Sequence, residues 1–142
     1  METLTKASKV LYTAKTHTTG GREHGIAKSS DGHLEIALST PGTDGTGTNP
    51  EQLFAAGWSA CFEGAIGIAA SKSGVALSAE PTIDAEVDLC LDRADFFLQA
   101  RLNISLPGLN REVALKLIAA AETICPYAKA IKGNIHVEYN LL

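Results

Sequence analysis

Three cysteines carry the chemistry available to this 142-residue chain: Cys61, Cys90 and Cys125. They stand 29 and 35 residues apart with no C-x-x-C or H-x-x-x-H pattern beside them, which argues against a zinc site. An odd trio is also a poor disulfide scaffold, and a chain of this length does not need one. Thiol redox chemistry or plain burial remains. Cys90 shares a strand face with Asp84, Glu86, Asp88 and Asp92, whose negative charge disfavours a thiolate. Cys61 lies in an apolar stretch, where a free cysteine ordinarily acts as a small core residue. It falls about ten residues past a helix start, too far for the helix dipole to help, so activation requires a nearby cation. Cys125 precedes Pro126 at a break in backbone regularity, a place suited to a thiol that must move, although burial explains it equally well. Taken together, Cys61 and Cys125 suit a peroxidatic thiolate and the second thiol that rescues its sulfenic acid from further oxidation.

The elements that must position these residues are legible in the local pattern. Asn49 suits an N-cap, Pro50 the first helical position and Glu51 the positive end of the dipole. A helix is predicted from there to about Ser71–Ser73, with Gly74 past its end, and it is apolar on nearly every side. A helix apolar all round is a buried one, so sheet or a partner subunit is expected on more than one face. Pro81 to Asp92 and Phe96 to Leu106 alternate apolar and polar residues about the turn Arg93-Ala94-Asp95, predicting a long antiparallel hairpin with one wet face. Asn110 caps a helix whose buried stripe is expected to be Val113, Leu115, Leu117, Ile118, Ala121 and Ile124; a short helix from Tyr127 to Ile131 and a strand from Gly133 to Leu142 follow. Upstream, Ser8–Thr19, Glu23–Lys28 and His33–Leu38 read as a small antiparallel meander, broken by Gly20-Gly21 and Ser30-Asp31-Gly32. Residues 39–48 form a loop. The order β-β-β-α-β-β-α-α-β predicts an α+β fold, an antiparallel sheet around a buried central helix, in one domain spanning 1–142.

Composition narrows the partners. Hydrophobic residues make up 45% and charged residues 20%, as in ordinary globular domains. A formal net charge of −4 with scattered Lys and Arg argues against nucleic acid and anionic membrane surfaces. No apolar run is expected to reach membrane-spanning length and no signal-peptide pattern opens the chain, so a cytoplasmic protein is expected. His17, His24, His33 and His136 read as surface residues beside polar neighbours.

The block Asn49-Pro50-Glu51-Gln52-Leu53-Phe54-Ala55-Ala56-Gly57-Trp58-Ser59-Ala60-Cys61-Phe62, with Gly20-Gly21-Arg22 and Cys125-Pro126-Tyr127, resembles the organic hydroperoxide resistance family of the osmotically inducible protein C superfamily, over nearly the whole chain. The resemblance implies a lipoyl-dependent thiol peroxidase that reduces organic hydroperoxides as an intertwined homodimer. It implies no bound cofactor or metal; the reductant is an external dithiol, dihydrolipoamide or a lipoylated protein. It casts Cys61 as peroxidatic, Cys125 as resolving, Arg22 as the cation that activates Cys61 and Glu51 as the acid that holds Arg22. The chain departs from the family at Trp58, where tyrosine is common, and Cys90 lies outside the pattern.

The residues add constraints of their own. On one unbroken helix, ten residues at ~1.5 Å put Glu51 and Cys61 about 15 Å apart, so convergence needs a bend near Gly57 or a Glu51 from a partner subunit. Phe54, Trp58, Phe96 and Phe97 are candidates to bind the alkyl part of a peroxide, and Phe97 interrupts an otherwise polar face. The alternatives are a non-catalytic thiol redox sensor, an apolar-ligand carrier, or cysteines that are merely buried.

Overall fold

Backbone freedom at two glycines sets the start of the fold. The computed structural model describes residues 6–142 and divides into two compact units, Met1–Asn49 and Pro50–Leu142. In the first, strand β1 (Thr16–Thr19) runs into Gly20 and Gly21, both at positive φ (79° and 67°), where a side chain is strained. They turn the chain into a one-turn helix α1 (Gly21–His24) carrying Arg22. Strand β2 (Ile26–Ser29) returns antiparallel to β1, and β3 (Glu35–Ala37) pairs antiparallel to β2. Asp31 Oδ1 ties their turn by accepting from Ser29 Oγ at 2.6 Å and the His33 amide at 3.0 Å.

This meander is smaller than the sequence predicts. Pairing of β1 ends where the Ser30 amide reaches the Lys15 carbonyl, because β2 has no residues left to offer. Residues 8–15 therefore form no strand, and Val10, Leu11 and Tyr12 are exposed. The second strand starts at Ile26 because α1 takes the residues before it.

In the second unit, α2 (Pro50–Lys72) begins and ends where the capping residues indicate. The long hairpin is present as β4 (Thr82–Asp92) and β5 (Asp95–Ser105), in register from Thr82↔Ser105 to Asp92↔Asp95. Helices α3 (Arg111–Ile124) and α4 (Pro126–Ile131) carry the chain back to β6 (His136–Leu141). The Asn110 side chain accepts from the Val113 amide at 3.2 Å, the expected cap of α3. The architecture is α+β, with two three-stranded sheets, β1-β2-β3 and β4-β5-β6. One strand pair differs from the antiparallel expectation: β6 lies parallel to β5, because the α3–α4 crossover returns it to the end where β5 starts.

The core of this unit lies between the β4-β5-β6 sheet and the helices. Trp58, Phe62 and Ile66 of α2 meet Leu102 and Ile104 of β5 and Ile118 of α3. Complete burial of Leu102 and Ile104 contributes about 1.5–3 kcal/mol each. On the wet face Arg101 binds Asp88 with two bonds of 2.8 and 2.9 Å and reaches Glu86 at 3.2 Å. The Arg101 guanidinium, with Gln99, pulls the Asp88 carboxyl down to about 2.

Helix α2 buries Trp58, Phe62 and Ile66 and leaves Leu53 and Ile68 exposed in the single chain. One expectation is corrected: α2 is long and apolar enough to cross a membrane by length and composition, with a mean hydropathy of 1.4 over its most apolar window. Its packing against β4 and α3, with Trp58 and Phe62 fully buried, makes it the core helix of this unit.

Candidate active site: the Cys61–Cys125 pair

Helical spacing turns Trp58 and Phe62 fully inward and leaves Cys61, between them, half-buried. Cys125 is the residue between α3 and α4, with extended backbone at φ −64°, ψ 119°, as expected before a proline. That single non-helical residue ends α3 through its amide, which donates to the Ala121 carbonyl. It also starts α4 through its side chain, whose Sγ accepts from the Ala128 amide at 3.5 Å. Cys125 is 0% exposed.

The two thiols, 64 residues apart in sequence, meet here. Cys125 Sγ and Cys61 Sγ lie 3.2 Å apart, within hydrogen-bond contact, and both cysteines are free. The sequence treats Cys125 as a thiol that must move; in the fold it already stands within a small shift of bonding distance. Burial pushes the Cys125 thiol up from its ordinary value and the neighbouring Cys61 adds to the push, while the Ala128 and Tyr127 amides work against it.

An aromatic wall backs the pair. Phe54 meets Trp58 edge-on at 5.8 Å and Tyr127 at 6.1 Å; Trp58 meets Tyr139 at 6.4 Å, and Phe62 stacks on Tyr139 at 5.3 Å. Burial, reinforced by Glu122 and Cys125, pushes the Tyr139 phenol up to about 12. The Trp58 Nε1 is buried without a hydrogen-bond partner among the described residues. Sequence reasoning missed Tyr127 and Tyr139. Their available signals were the position after Cys125-Pro126 and the inward phase of the last strand.

The remaining predicted residues lie on α1, α2 and β5. Gly57 makes no bend, since α2 is helical throughout; its missing side chain leaves room for Tyr127, whose Oη would lie 2.8 Å from an added Cβ. Glu51, in the first turn, is therefore about 15 Å from Cys61 along the axis. Arg22 sits on α1 of the first unit. Phe54 is half-buried and Trp58 has no exposed surface, whereas Phe96 and Phe97, 72% and 46% exposed, stand at the hairpin end opposite Leu91 and Cys90. Cys90 Sγ makes a long contact, 3.9 Å, with the Asp88 carbonyl. Among the described residues no group of three or more His, Cys, Asp or Glu is placed to hold a metal ion.

Comparison with known proteins identifies the family. Residues 42–140 match the family model described as OsmC-like protein. An organic hydroperoxide resistance protein of Xanthomonas axonopodis pv. citri is 44% identical, the match covering 94% of this chain and 96% of its own. Organic hydroperoxide resistance protein OhrB of Bacillus subtilis is 41% identical over 92% and 98% of the two chains. Its crystal structure superposes with a TM-score of 0.87 at 38% identity over 94% of this chain and 100% of that one. A Legionella pneumophila organic hydroperoxide resistance protein gives 0.87 at 39% identity, over 94% and 98%. On its sequence and its fold, the chain belongs to the OsmC-like family, among the organic hydroperoxide resistance proteins.

Proposed function

We propose that residues 1–142 act as one peroxidase domain that reduces organic hydroperoxides to alcohols with Cys61 and Cys125. The observation that carries this reading is the 3.2 Å approach of the two sulfurs, supported by the names of the relatives. Unequal burial favours the division of labour: a hydroperoxide reaches half-buried Cys61 more readily than Cys125, which has no exposed surface. The Cys61 thiolate attacks the distal peroxide oxygen, the O–O bond breaks, and the alkoxide takes a proton to leave as alcohol. Cys61 sulfenic acid then condenses with the Cys125 thiol, forming the disulfide and releasing water. An external dithiol, dihydrolipoamide or a lipoylated protein, reduces the disulfide in two exchanges and is itself oxidised.

In this reading Arg22 supplies the permanent charge that favours the Cys61 thiolate, and Glu51 holds the guanidinium by paired bonds. The separation of Glu51 from Cys61 along an unbroken α2 favours a site completed by a second copy of the chain. A homodimer is further supported by the exposed apolar side chains Leu53 and Ile68 on α2 and Leu89, Leu91 and Phe96 near the hairpin end. Phe54 and Trp58, with Phe96 and Phe97 in the assembled dimer, shape the apolar surface for the alkyl group. Cytoplasmic placement suits a cycle that needs reduced thiols.

Steady-state reduction of cumene hydroperoxide with dihydrolipoamide tests the proposal. The native chain is expected to turn over, and Cys61→Ser and Cys125→Ser are each expected to lose lipoyl-dependent turnover. Unimpaired turnover by Cys61→Ser, or none by the native chain, overturns the enzyme reading. Oxidation of Cys61 without turnover would favour a redox sensor instead.

A further inference from the structure

We infer that Cys125 acts before it resolves: as a neutral thiol it donates its S–H to the Cys61 sulfur, forming the middle link of a chain from the Ala128 amide through Cys125 to the nucleophile. The inference rests on the proposed roles of Cys61 and Cys125 and adds a function to Cys125 in the first chemical step. Its geometry is the 3.2 Å Cys125-to-Cys61 contact together with the 3.5 Å contact from the Ala128 amide to Cys125 Sγ. Of two sulfurs this close, the one whose charge is better solvated is the better place for the thiolate. Cys61 is half-buried and Cys125 wholly buried among apolar neighbours, which leaves the remaining proton on Cys125, between the sulfurs. The amide bond into Cys125 polarises its S–H, and linked hydrogen bonds of this kind strengthen one another.

Other groups surround the pair. From β6 Tyr139, a neutral phenol at physiological pH, lies within electrostatic reach of Cys125, and from α3 Glu122 lies within reach of Tyr139. Tyr127 of α4 contributes its amide. The proton balance closes over the proposed cycle. Cys125 keeps its proton while Cys61 attacks the peroxide, then loses it as Cys125 attacks the sulfenic sulfur, and it departs in the water released.

Resolution alone predicts no effect of Cys125 on the first step; donation predicts one. The pH profile of Cys61 alkylation by iodoacetamide, followed by mass spectrometry in a Cys90→Ala background, separates the two without any peroxide. With Cys125→Ala the midpoint is expected to rise by about one pH unit, slowing alkylation about tenfold at neutral pH. Cys125→Ser, whose hydroxyl still donates, is expected to stay within about threefold of the parent. Identical profiles for parent, alanine and serine variants, or equal slowing in both variants, overturn the inference. A second readout keeps Cys125 native: its infrared S–H stretch is expected at lower frequency in the Cys90→Ala parent than after a further Cys61→Ala change, and no difference overturns the inference. Loss of peroxidase turnover with these shifts intact would refute the proposed function and leave the donor role standing.

Discussion

Trp58 is buried to 0% exposure yet its Nε1 has no partner among the described residues, so the packing comes at the expense of an orphaned donor. Replacing it by phenylalanine removes packing and donor together. The loss of roughly two ring carbons costs about 1.6 kcal/mol at ~0.8 kcal/mol per carbon group. A residual void of roughly 40 Å³ adds ~1 kcal/mol. Against this, removing a buried unpaired N–H recovers ~1–3 kcal/mol. The terms nearly cancel, and Trp58→Phe is expected within about 1.5 kcal/mol of the native stability. Trp58→Ala removes the same donor but also the edge contacts with Phe54 and Tyr139, and falls in the ~3–5 kcal/mol range of large-to-small core changes. Urea unfolding at one fixed protein concentration measures both, because association would make the midpoint depend on concentration. Circular dichroism must report it, since Trp58 is the chain's only tryptophan and its fluorescence disappears with it. A Trp58→Phe loss as large as that of Trp58→Ala would refute the argument from the orphaned donor.

Two further perturbations follow from local chemistry. Tyr139 is held neutral up to about 12 in the fold, above its ordinary value of 10.0, so its contribution to stability is fully present below pH 10 and is lost as pH rises towards 12. Tyr139→Phe keeps the ring stacked on Phe62 and is expected to flatten alkaline unfolding between those pH values; an unchanged alkaline slope would contradict it. Asn110→Ala removes the side chain that accepts from the Val113 amide and is expected to cost about 1 kcal/mol in urea unfolding, with Asn110→Asp close to native.

Much of the fold is written in short-range patterns. The hairpin Thr82–Ser105 follows from period-two alternation, α2 from the Asn49-Pro50-Glu51 start and Gly74 stop, and the α3–α4 break from Cys125-Pro126. Each depends on neighbours within a few residues, where propensity and capping act. Patterns failed where a remote segment decides. Residues 8–15 have strand composition but no partner, because β2 is too short to extend the pairing. The last strand alternates correctly yet runs parallel to β5, a direction set by the crossover rather than by periodicity.

The candidate site divides along the same line. Residue type and local spacing alone made Cys61 and Cys125 the pair to watch and set Cys90, among carboxylates, aside. They also put Glu51 at a helix start too far along the axis to meet Cys61 unaided. Only tertiary structure brought sulfurs 64 residues apart to 3.2 Å, left one half-exposed and sealed the other, and set Tyr127 and Tyr139 around them. The reason is physical: a cap or a period is satisfied by adjacent residues, whereas burial and the location of a proton depend on every group that packs around a sulfur, most of it distant in the chain.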